Sequence, residues 1–290
     1  MYQTGVAGDA GVRPRAPGRG SIVWDIAGNW TMLMGGGRAL ILQVAHPVVA
    51  AGVEQHSNYR SEPWQRLLGT LDLFLTVVFG SDDETPEQAG ARLRERHKEI
   101  KGVMPDGDRY HALDPAAFLW VHASLVDSTV EMQRRFGERP LTRAECERYY
   151  EEMRGVGGLY GLRDRDMPPD WRSFRRYFNH MVHHELRDSD TLQAVIASIL
   201  RPPKPPVLPL PDGIWDVAGW PAFELARLVT AGSLPPRLRD RVGLDWSPQK
   251  ERLLNAAQGA IRRTFPHLPA RLRLMPPALA AHRRESRLAA

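Results

Sequence analysis

The feature that most constrains the fold is a series of helix start signals along the chain. Thr85, Asp114 and Ser247 each directly precede a proline, and Thr142 is followed three residues later by Glu145. Such side chains accept hydrogen bonds from the first backbone N–H groups of a helix. Proline suits the first helical position because its missing N–H has no partner there. These signals predict a chain that is built from capped helices.

The spacing of the apolar residues indicates the same fold class. Between residues 63 and 79, Leu67, Leu71, Leu75 and Val78 recur at intervals of three or four positions, which places them on one helix face. No run of alternating apolar and polar residues is flanked by hairpin turns, so no strand is predicted. The sequence therefore predicts an all-α fold with a single globular, multi-helix domain.

Composition divides the chain into a body and two ends. Residues 1–20 are rich in glycine, proline and arginine and are predicted to be a disordered tail. Residues 21–265 are the predicted helical domain. Residues 266–290 are predicted to be a basic tail, either solvated or laid over the body as a lid. The prolines of residues 201–211 predict an extended, polyproline-like connector along that body.

The distribution of charge and cysteine excludes several classes of protein. Seven arginines lie in residues 261–290 against Glu285 alone, whereas the body is slightly acidic. This pattern disfavours nucleic-acid binding and leaves weak contact with a membrane surface open. The single cysteine, Cys146, cannot form an intramolecular disulfide. The longest apolar run, residues 39–53, is too short to cross a bilayer, and no secretion signal is visible, so we expect a soluble, cytoplasmic protein.

Two neighbouring predicted helices carry the first group of candidate functional residues. Arg66 and Thr70 are four residues apart and share one face of an otherwise apolar helix, where an arginine either reaches solvent or pairs with a buried anion. His97 lies with Leu93 and Ile100 on the less polar face of a highly charged helix. This position suits either a buried core histidine or a metal ligand.

The other histidines leave further alternatives open. His180, His183 and His184, which we call the histidine cluster, have the spacing of one helix face. That spacing suits either an interhelical hydrogen-bonding surface or a metal site. His111 is predicted to lie exposed in a turn, and His122 is predicted to make hydrogen bonds inside the core.

Four motifs follow one another in a fixed order along the chain. They are GGGRALILQVAHPVVAAGV, then Arg66 with Thr70, then His97 ahead of YHALDP, then WVHASLVDS. This succession resembles the rubber oxygenase family, which includes the latex-clearing proteins and the fungal mpaB-type oxygenases, over about residues 23–208. The family is all-helical, and its characterised rubber-cleaving members bind haem b. The resemblance implies that His97 is the proximal haem ligand and that Arg66 and Thr70 belong to the distal helix.

One position departs from the pattern of that family. In latex-clearing proteins, the residue directly before the distal threonine is a lysine that can ligate iron, whereas this chain has Gly69. Glycine has no ligating side chain, so the sixth iron position is either open or filled by another residue. The departure argues against rubber cleavage as the reaction and leaves the proximal ligand unaffected.

The leading hypothesis is a haem b-dependent oxygenase, or a peroxygenase-like oxidoreductase, that uses dioxygen or peroxide on a small apolar organic substrate. His97 would hold the iron. Arg66 and Thr70 would shape the oxygen-binding side, and Glu54 or His56 could act as a base. The alternatives are a non-haem metal enzyme centred on the histidine cluster and a haem-binding sensor or carrier without turnover.

Overall fold

Helices make up nearly all of the regular structure in a computed structural model of the protein, which confirms the predicted all-α class. The structure describes residues 12–59, 62–201, 204, 211, 214–215 and 219–288, without the side chains of residues 63, 66, 222 and 288. The first eleven residues of the predicted N-terminal tail and most of the predicted proline-rich connector lie outside the described residues. The boundaries of the predicted tails and domain stay predictions.

The helices follow one another along the chain. The N-terminal half contains α1 (Ile22–Ala27), α2 (Trp30–Leu33), α3 (Gly36–Val44), α4 (Pro47–His56), α5 (Pro63–Phe79), α6 (Pro86–Lys98) and α7 (Pro115–Phe136). The C-terminal half contains α8 (Arg143–Tyr160), α9 (Trp171–His180), a π-helical turn (Met181–Glu185), α10 (Asp190–Leu200), α11 (Trp220–Ser233), α12 (Pro236–Arg241), α13 (Pro248–Thr264), α14 (Ala270–Arg273) and α15 (Pro276–Leu288).

The hydrogen bonds at the helix starts confirm the predicted caps. Thr85 and Thr142 each accept a bond from a backbone N–H in the first turn of the helix that follows. The side chains of Gln88 and Glu145 accept bonds from the backbone N–H groups of these two threonines in return. Asp114 caps α7 through a backbone N–H of its first turn. These caps fix where α6, α7 and α8 begin, and these three helices contribute walls to the site described below.

One local prediction is wrong, because the chain contains a short β-hairpin. Lys101–Val103 (β1) and Arg109–His111 (β2) pair antiparallel, with Gly102 opposite Tyr110. Each strand has only three residues, which is too few to show an alternating pattern in the sequence. Gly107 lies in the turn with a φ of 94°, a conformation that glycine adopts without the steric cost of a side chain. The hairpin connects α6 to α7.

A sharp bend separates α3 from α4. The segments Trp30–Val44 and Pro47–His56 are bent by 103° relative to one another, because proline at the start of the second segment cannot continue the helical hydrogen bonds of the first. Among the described helices, none is by itself both long and apolar enough to cross a membrane. The two segments reach that length and composition only when they are taken together across the bend.

Two of the sequence motifs meet in the core. Trp120 of α7 is fully buried, and its indole Nε1 donates to the carbonyl oxygen of Leu42 at 2.8 Å. Leu42 lies in the last turn of α3, where helix carbonyls lose their usual partners because the helix ends. The bond therefore joins the WVHASLVDS motif to the GGGRALILQVAHP motif and stabilises the point at which α3 ends.

A buried ion pair joins the same two motifs at a second point. Arg38 of α3 donates to Asp127 Oδ2 at 2.5 Å and to Ser128 Oγ at 2.6 Å. Arg38 also donates to the carbonyl oxygen of Ser233 at 2.9 Å, and Arg175 of α9 donates to the other carboxylate oxygen of Asp127. One buried carboxylate thus holds α3, α7 and α9 together, with α11 tied in through Arg38.

The basic C-terminal segment lies over the body. Helix α15 packs on α5, with Ala278 and Ala281 buried in the core. Arg284 donates to the carbonyl oxygens of Phe79 and Gly80 at 3.0 and 3.1 Å. These are orphan carbonyls at the C-terminal end of α5, where a cation is favourable. Of the two predicted arrangements of this segment, the structure has the lid.

Candidate active site

A deep cavity opens between α4, α5, α6 and α7, with β2 and the end of α8 at its inner side. It encloses about 1770 Å³ of space, including its open mouth. Its walls are mostly apolar with a small number of polar groups, which is the composition typical of ligand sites. We call it the His97 cavity. The polar groups in its walls include Gln43, His56, Gln65, Thr70, Arg96, His97 and His122.

His97 lies on the inner face of α6 and lines this cavity. Its Nδ1 lies 2.8 Å from the carbonyl oxygen of Leu93, one turn earlier in the helix. A carbonyl can only accept, so this contact places the ring hydrogen on Nδ1 and the lone pair on Nε2. The ring also packs edge-on against Phe118 of α7, with centroids 5.8 Å apart. Metal-ligating histidines are commonly held in this way through the nitrogen that does not ligate.

Two contacts with α8 determine where α6 lies. A Cβ atom added to Gly90 would lie 2.3 Å from the carbonyl oxygen of Leu159, so only glycine allows this close approach of the two helices. Arg94 donates a hydrogen bond to the same carbonyl oxygen. Gly90 precedes His97 by about two helical turns, so the close approach also fixes the position of His97 relative to α8.

Helix α5 contributes a second wall that carries the other predicted site residues. Gly69 and Thr70 both line the His97 cavity. A Cβ atom added to Gly69 would meet no atom within 4 Å, so this position faces open space. Arg66 lies one turn earlier in the same helix, and its side chain is outside the description. The structure therefore brings Thr70 and His97 to one cavity.

The two candidate bases lie in different surroundings. His56 lines the cavity, and its Nε2 lies 3.0 Å from the carbonyl oxygen of Lys101. Glu54 is not among the described residues that line the cavity. Its carboxylate accepts hydrogen bonds from the hydroxyl groups of Tyr59 at 2.8 Å and Thr191 at 3.1 Å. Of the two candidates, only His56 lies where it can face a ligand in this cavity.

His111 and His122 both differ from what the sequence predicts. His111 lies half-buried in β2, and its Nδ1 accepts from the backbone N–H of Leu113 at 3.0 Å. His122 is buried in the wall of the His97 cavity, but neither ring nitrogen has a hydrogen-bond partner among the described residues. Burial lowers the pKa of His122 to about 4; the backbone of Met153 opposes this shift in part, although its contact with the ring does not have hydrogen-bond geometry. His122 belongs to the WVHASLVDS motif, but that motif does not show which cavity its side chain lines.

A second cavity lies beside the first, between α3, α4, α5, α7 and α10. It encloses about 1200 Å³, including open space, and we call it the apolar chamber. The two cavities share a wall, whose residues line both of them. These residues are Gln43, Val53, Thr70, Phe74 and Leu125. No local sequence pattern indicates this chamber, because the residues that line it come from separate segments between Ala27 and Met275.

The histidine cluster lies outside the residues that line the two cavities. His180 and His184 have ring centroids 4.9 Å apart, and His180 Nε2 lies 3.6 Å from the carboxylate of Glu185. The backbone N–H of Leu186 bonds to the carbonyl of Met181 at 3.1 Å, five residues earlier, so a π-helical turn replaces the predicted regular helix face. Among the described residues, no three His, Cys, Asp or Glu side chains are grouped so that they could hold a metal ion.

Comparison with known families identifies the class of protein. Residues 24–263 match the family described as ER-bound oxygenase mpaB/B'/rubber oxygenase, catalytic domain, and the chain belongs to this family. It is similar to the uncharacterised proteins Mb2261 of Mycobacterium bovis and Rv2237 of Mycobacterium tuberculosis. Each is 26% identical over 241 residues, which cover 79% of this chain and 88% of the relative. No solved structure gives a significant match.

Proposed function

We propose that the protein is a haem b-dependent oxygenase that oxidises a small apolar organic substrate with dioxygen or peroxide. Membership in a family of oxygenase catalytic domains supports the class of reaction. The observation that carries the proposal is the tautomer of His97. Its Nδ1 donates a hydrogen bond to the carbonyl of Leu93, and the ring lines a large, mostly apolar cavity. This contact leaves the lone pair on Nε2, the atom that would ligate haem iron.

The residues of the His97 cavity fit haem b in their chemistry. Haem b is a large apolar ring that carries carboxylates at one edge. The cavity combines apolar walls with the exposed guanidinium of Arg96, which can pair with a carboxylate. The open space at Gly69 leaves room beside α5. His97 would therefore hold the iron of the cofactor, and Arg96 would pair with one of its carboxylates.

The other residues of the cavity would provide hydrogen bonds, charge and exclusion of water around the reacting groups. Haem b, when bound, supplies an iron centre that activates dioxygen or peroxide. Thr70 can donate a hydrogen bond from the shared wall, and Phe74 and Leu125 exclude water from it. The resemblance implies that Arg66 lies on the same side of the cofactor as Thr70, where its positive charge would stabilise negative charge on the oxygen. The contact of His56 with Lys101 holds a proton at Nε2, so its Nδ1 is the atom that can accept another.

An absorption spectrum of the full chain tests this proposal directly. We expect the purified, haem-loaded protein to show a Soret band and a b-type pyridine haemochrome. His97→Ala should lose the Soret band, because the residue that would hold the iron is removed. His267→Ala is the matched control, since His267 is exposed in a 3-10 turn and should leave the spectrum unchanged.

Two outcomes contradict the proposal. One is a Soret band that His97→Ala leaves unchanged while the variant stays folded. The other is a protein that takes up iron or zinc but binds no porphyrin. Stable haem binding without oxidation of any apolar substrate would retain the cofactor assignment and reject the enzymatic one.

A further inference from the structure

We infer that the apolar chamber binds the hydrocarbon chain of the substrate and that Gln43 hydrogen-bonds a neutral polar group on that chain. The inference rests on the proposed function, because it takes the His97 cavity as the place where the reaction occurs. It adds to that function a second binding site and a chemical class of substrate, namely a hydrocarbon chain with a hydroxyl or carbonyl group.

The lining of the chamber indicates an uncharged ligand. Its described walls are formed mainly by alanine, valine, leucine, isoleucine, phenylalanine and methionine side chains, and no described lining residue carries a charge. A charged group placed in such surroundings would lose its hydration without gaining a partner, which is strongly unfavourable. Apolar atoms gain from the same burial. The chamber therefore favours hydrocarbon over ionic ligands.

The shared wall places such a ligand next to the His97 cavity. Thr70, Phe74 and Leu125 each line both spaces, so a chain in the chamber is separated from the cofactor site by single side chains. These residues come from α5 and α7, which also line the His97 cavity elsewhere. The chamber is thus a suitable place to hold a substrate whose reacting carbon must reach the cofactor.

Gln43 is the polar residue of that wall with unused hydrogen-bonding capacity. It lies in α3, half-buried, and lines both cavities. Among the hydrogen bonds of the described residues, none joins its amide to another protein group, and the half-buried amide can reach a ligand in either space. An amide can donate and accept, so it matches a hydroxyl or a carbonyl group of a ligand. Gln43 is therefore assigned as the residue that positions the polar end of the chain.

Two glycines provide a matched pair of variants for the test. Gly36 lines only the apolar chamber and Gly69 lines only the His97 cavity, and an added Cβ atom meets no atom within 4 Å at either position. Gly36→Phe should therefore fill the chamber, and Gly69→Phe should fill the cofactor cavity. Ser198→Phe fills the chamber from α10 and replaces Gly36→Phe if that variant does not fold.

The test measures binding of octan-1-ol, decan-1-ol and decanoate to the full chain by titration calorimetry, and haem content by absorbance of the same samples. We expect the wild type to bind decan-1-ol more tightly than octan-1-ol, by about 4-fold per added methylene group. Decanoate should bind at least about 10-fold more weakly than decan-1-ol. Gln43→Leu should weaken alcohol binding by about 2- to 10-fold and leave the dependence on chain length unchanged.

The glycine variants separate this inference from the proposed function. Gly36→Phe should lose alcohol binding and keep haem, whereas Gly69→Phe should lose haem and keep alcohol binding. Alcohol binding without haem in the wild type would reject the proposed function and leave the chamber as a binding site. Undiminished alcohol binding by folded Gly36→Phe or Ser198→Phe, absence of alcohol binding by the wild type, or tighter binding of decanoate than of decan-1-ol would overturn the inference.

Discussion

Burial lowers the pKa of two histidines of this chain, His46 and His122, below that of a free imidazole. His122 is enclosed between α7 and α8, and burial lowers its pKa to about 4. Burial also lowers the pKa of His46 at the start of α4, and the charges of Glu185 and Asp114 oppose this shift. Both rings are neutral in the folded protein near neutral pH. They can pack against apolar neighbours without the cost of a buried charge.

The shifted pKa of His122 predicts a loss of stability in acid. The unfolded chain takes up a proton near pH 6.5, whereas the folded chain does so only near pH 4. Stability therefore falls as the pH decreases through this window, by about 3 kcal/mol in total. Urea denaturation of wild type and His122→Leu between about pH 7.5 and pH 4 measures the difference. The variant should lose about 3 kcal/mol less than the wild type.

A matched exposed residue controls this measurement. His267→Leu removes an imidazole from the surface and should leave the pH dependence of the wild type intact. If His122→Leu and the wild type lose the same stability in acid, His122 is not held neutral by the fold.

Helix α6 shows how one contact between elements positions a candidate ligand. Its outer face is highly charged, and the predicted cap at Thr85 fixes its first turn. Neither feature determines how the helix is placed against its neighbours. That placement comes from Gly90, whose Cα faces the carbonyl of Leu159 in α8, and from Arg94, which donates to the same carbonyl. His97 occupies the cavity because α6 approaches α8 this closely.

Gly90→Ala should therefore destabilise the protein although alanine is the better helix former. The added methyl group would lie 2.3 Å from a backbone oxygen, which cannot turn away as a flexible side chain would. Overpacking costs about 1–3 kcal/mol, against a gain of about 1 kcal/mol in helix propensity. Because the clash is with backbone, the cost lies at the upper end of this range, and we expect a net loss of about 2 kcal/mol in the free energy of unfolding together with reduced haem content, measured by urea denaturation and absorbance.

Gly36→Ala is the control for this substitution. Gly36 is the first residue of α3, and an added Cβ atom there meets no atom within 4 Å. The Gly36→Ala protein should be as stable as the wild type or slightly more stable. Equal stability of Gly90→Ala and the wild type would contradict the assigned role of the contact between α6 and α8.

At the scale of the whole molecule, the buried carboxylate of Asp127 connects helices from both halves of the chain. Arg38 contacts it from α3 and Arg175 contacts it from α9. The guanidinium of Arg175 also lies over the ring of Phe178, and Arg38 faces the same ring from 5.9 Å. Arg38 and Asp127, which belong to the two motifs on either side of His97 in the chain, thus have a structural role.

Removing this carboxylate should strongly destabilise the fold. Asp127→Ala leaves Arg38, of which 3% is exposed, as an unpaired buried cation. Breaking one side of a buried ion pair costs about 3–5 kcal/mol. Urea denaturation should show that loss for Asp127→Ala and almost no change for Glu95→Ala, whose ion pair with Lys98 is exposed. Similar stabilities of the two variants would show that the buried pair does not hold the helices together.

Much of the fold and the first elements of the site could be predicted from the sequence. Helix starts at Thr85, Asp114 and Thr142 depend on side chains that bond to the backbone within one turn, so a local pattern is sufficient. The order of the motifs carries the resemblance that implies one site for His97 and Thr70, and both residues line the His97 cavity. The two strands of the hairpin were not predicted, because three residues are too few to show the alternation of a β-strand.

Only the tertiary structure decided what surrounds these residues. It excluded Glu54 from the described lining of the cavity, brought Gln43 and Leu125 into a wall shared by two spaces, and paired Arg38 with Asp127 across 89 positions of the chain. A sequence determines the face on which a residue lies within its own helix. It does not state which distant helix packs against that face, because this depends on the shapes and volumes of all the side chains in the core at once.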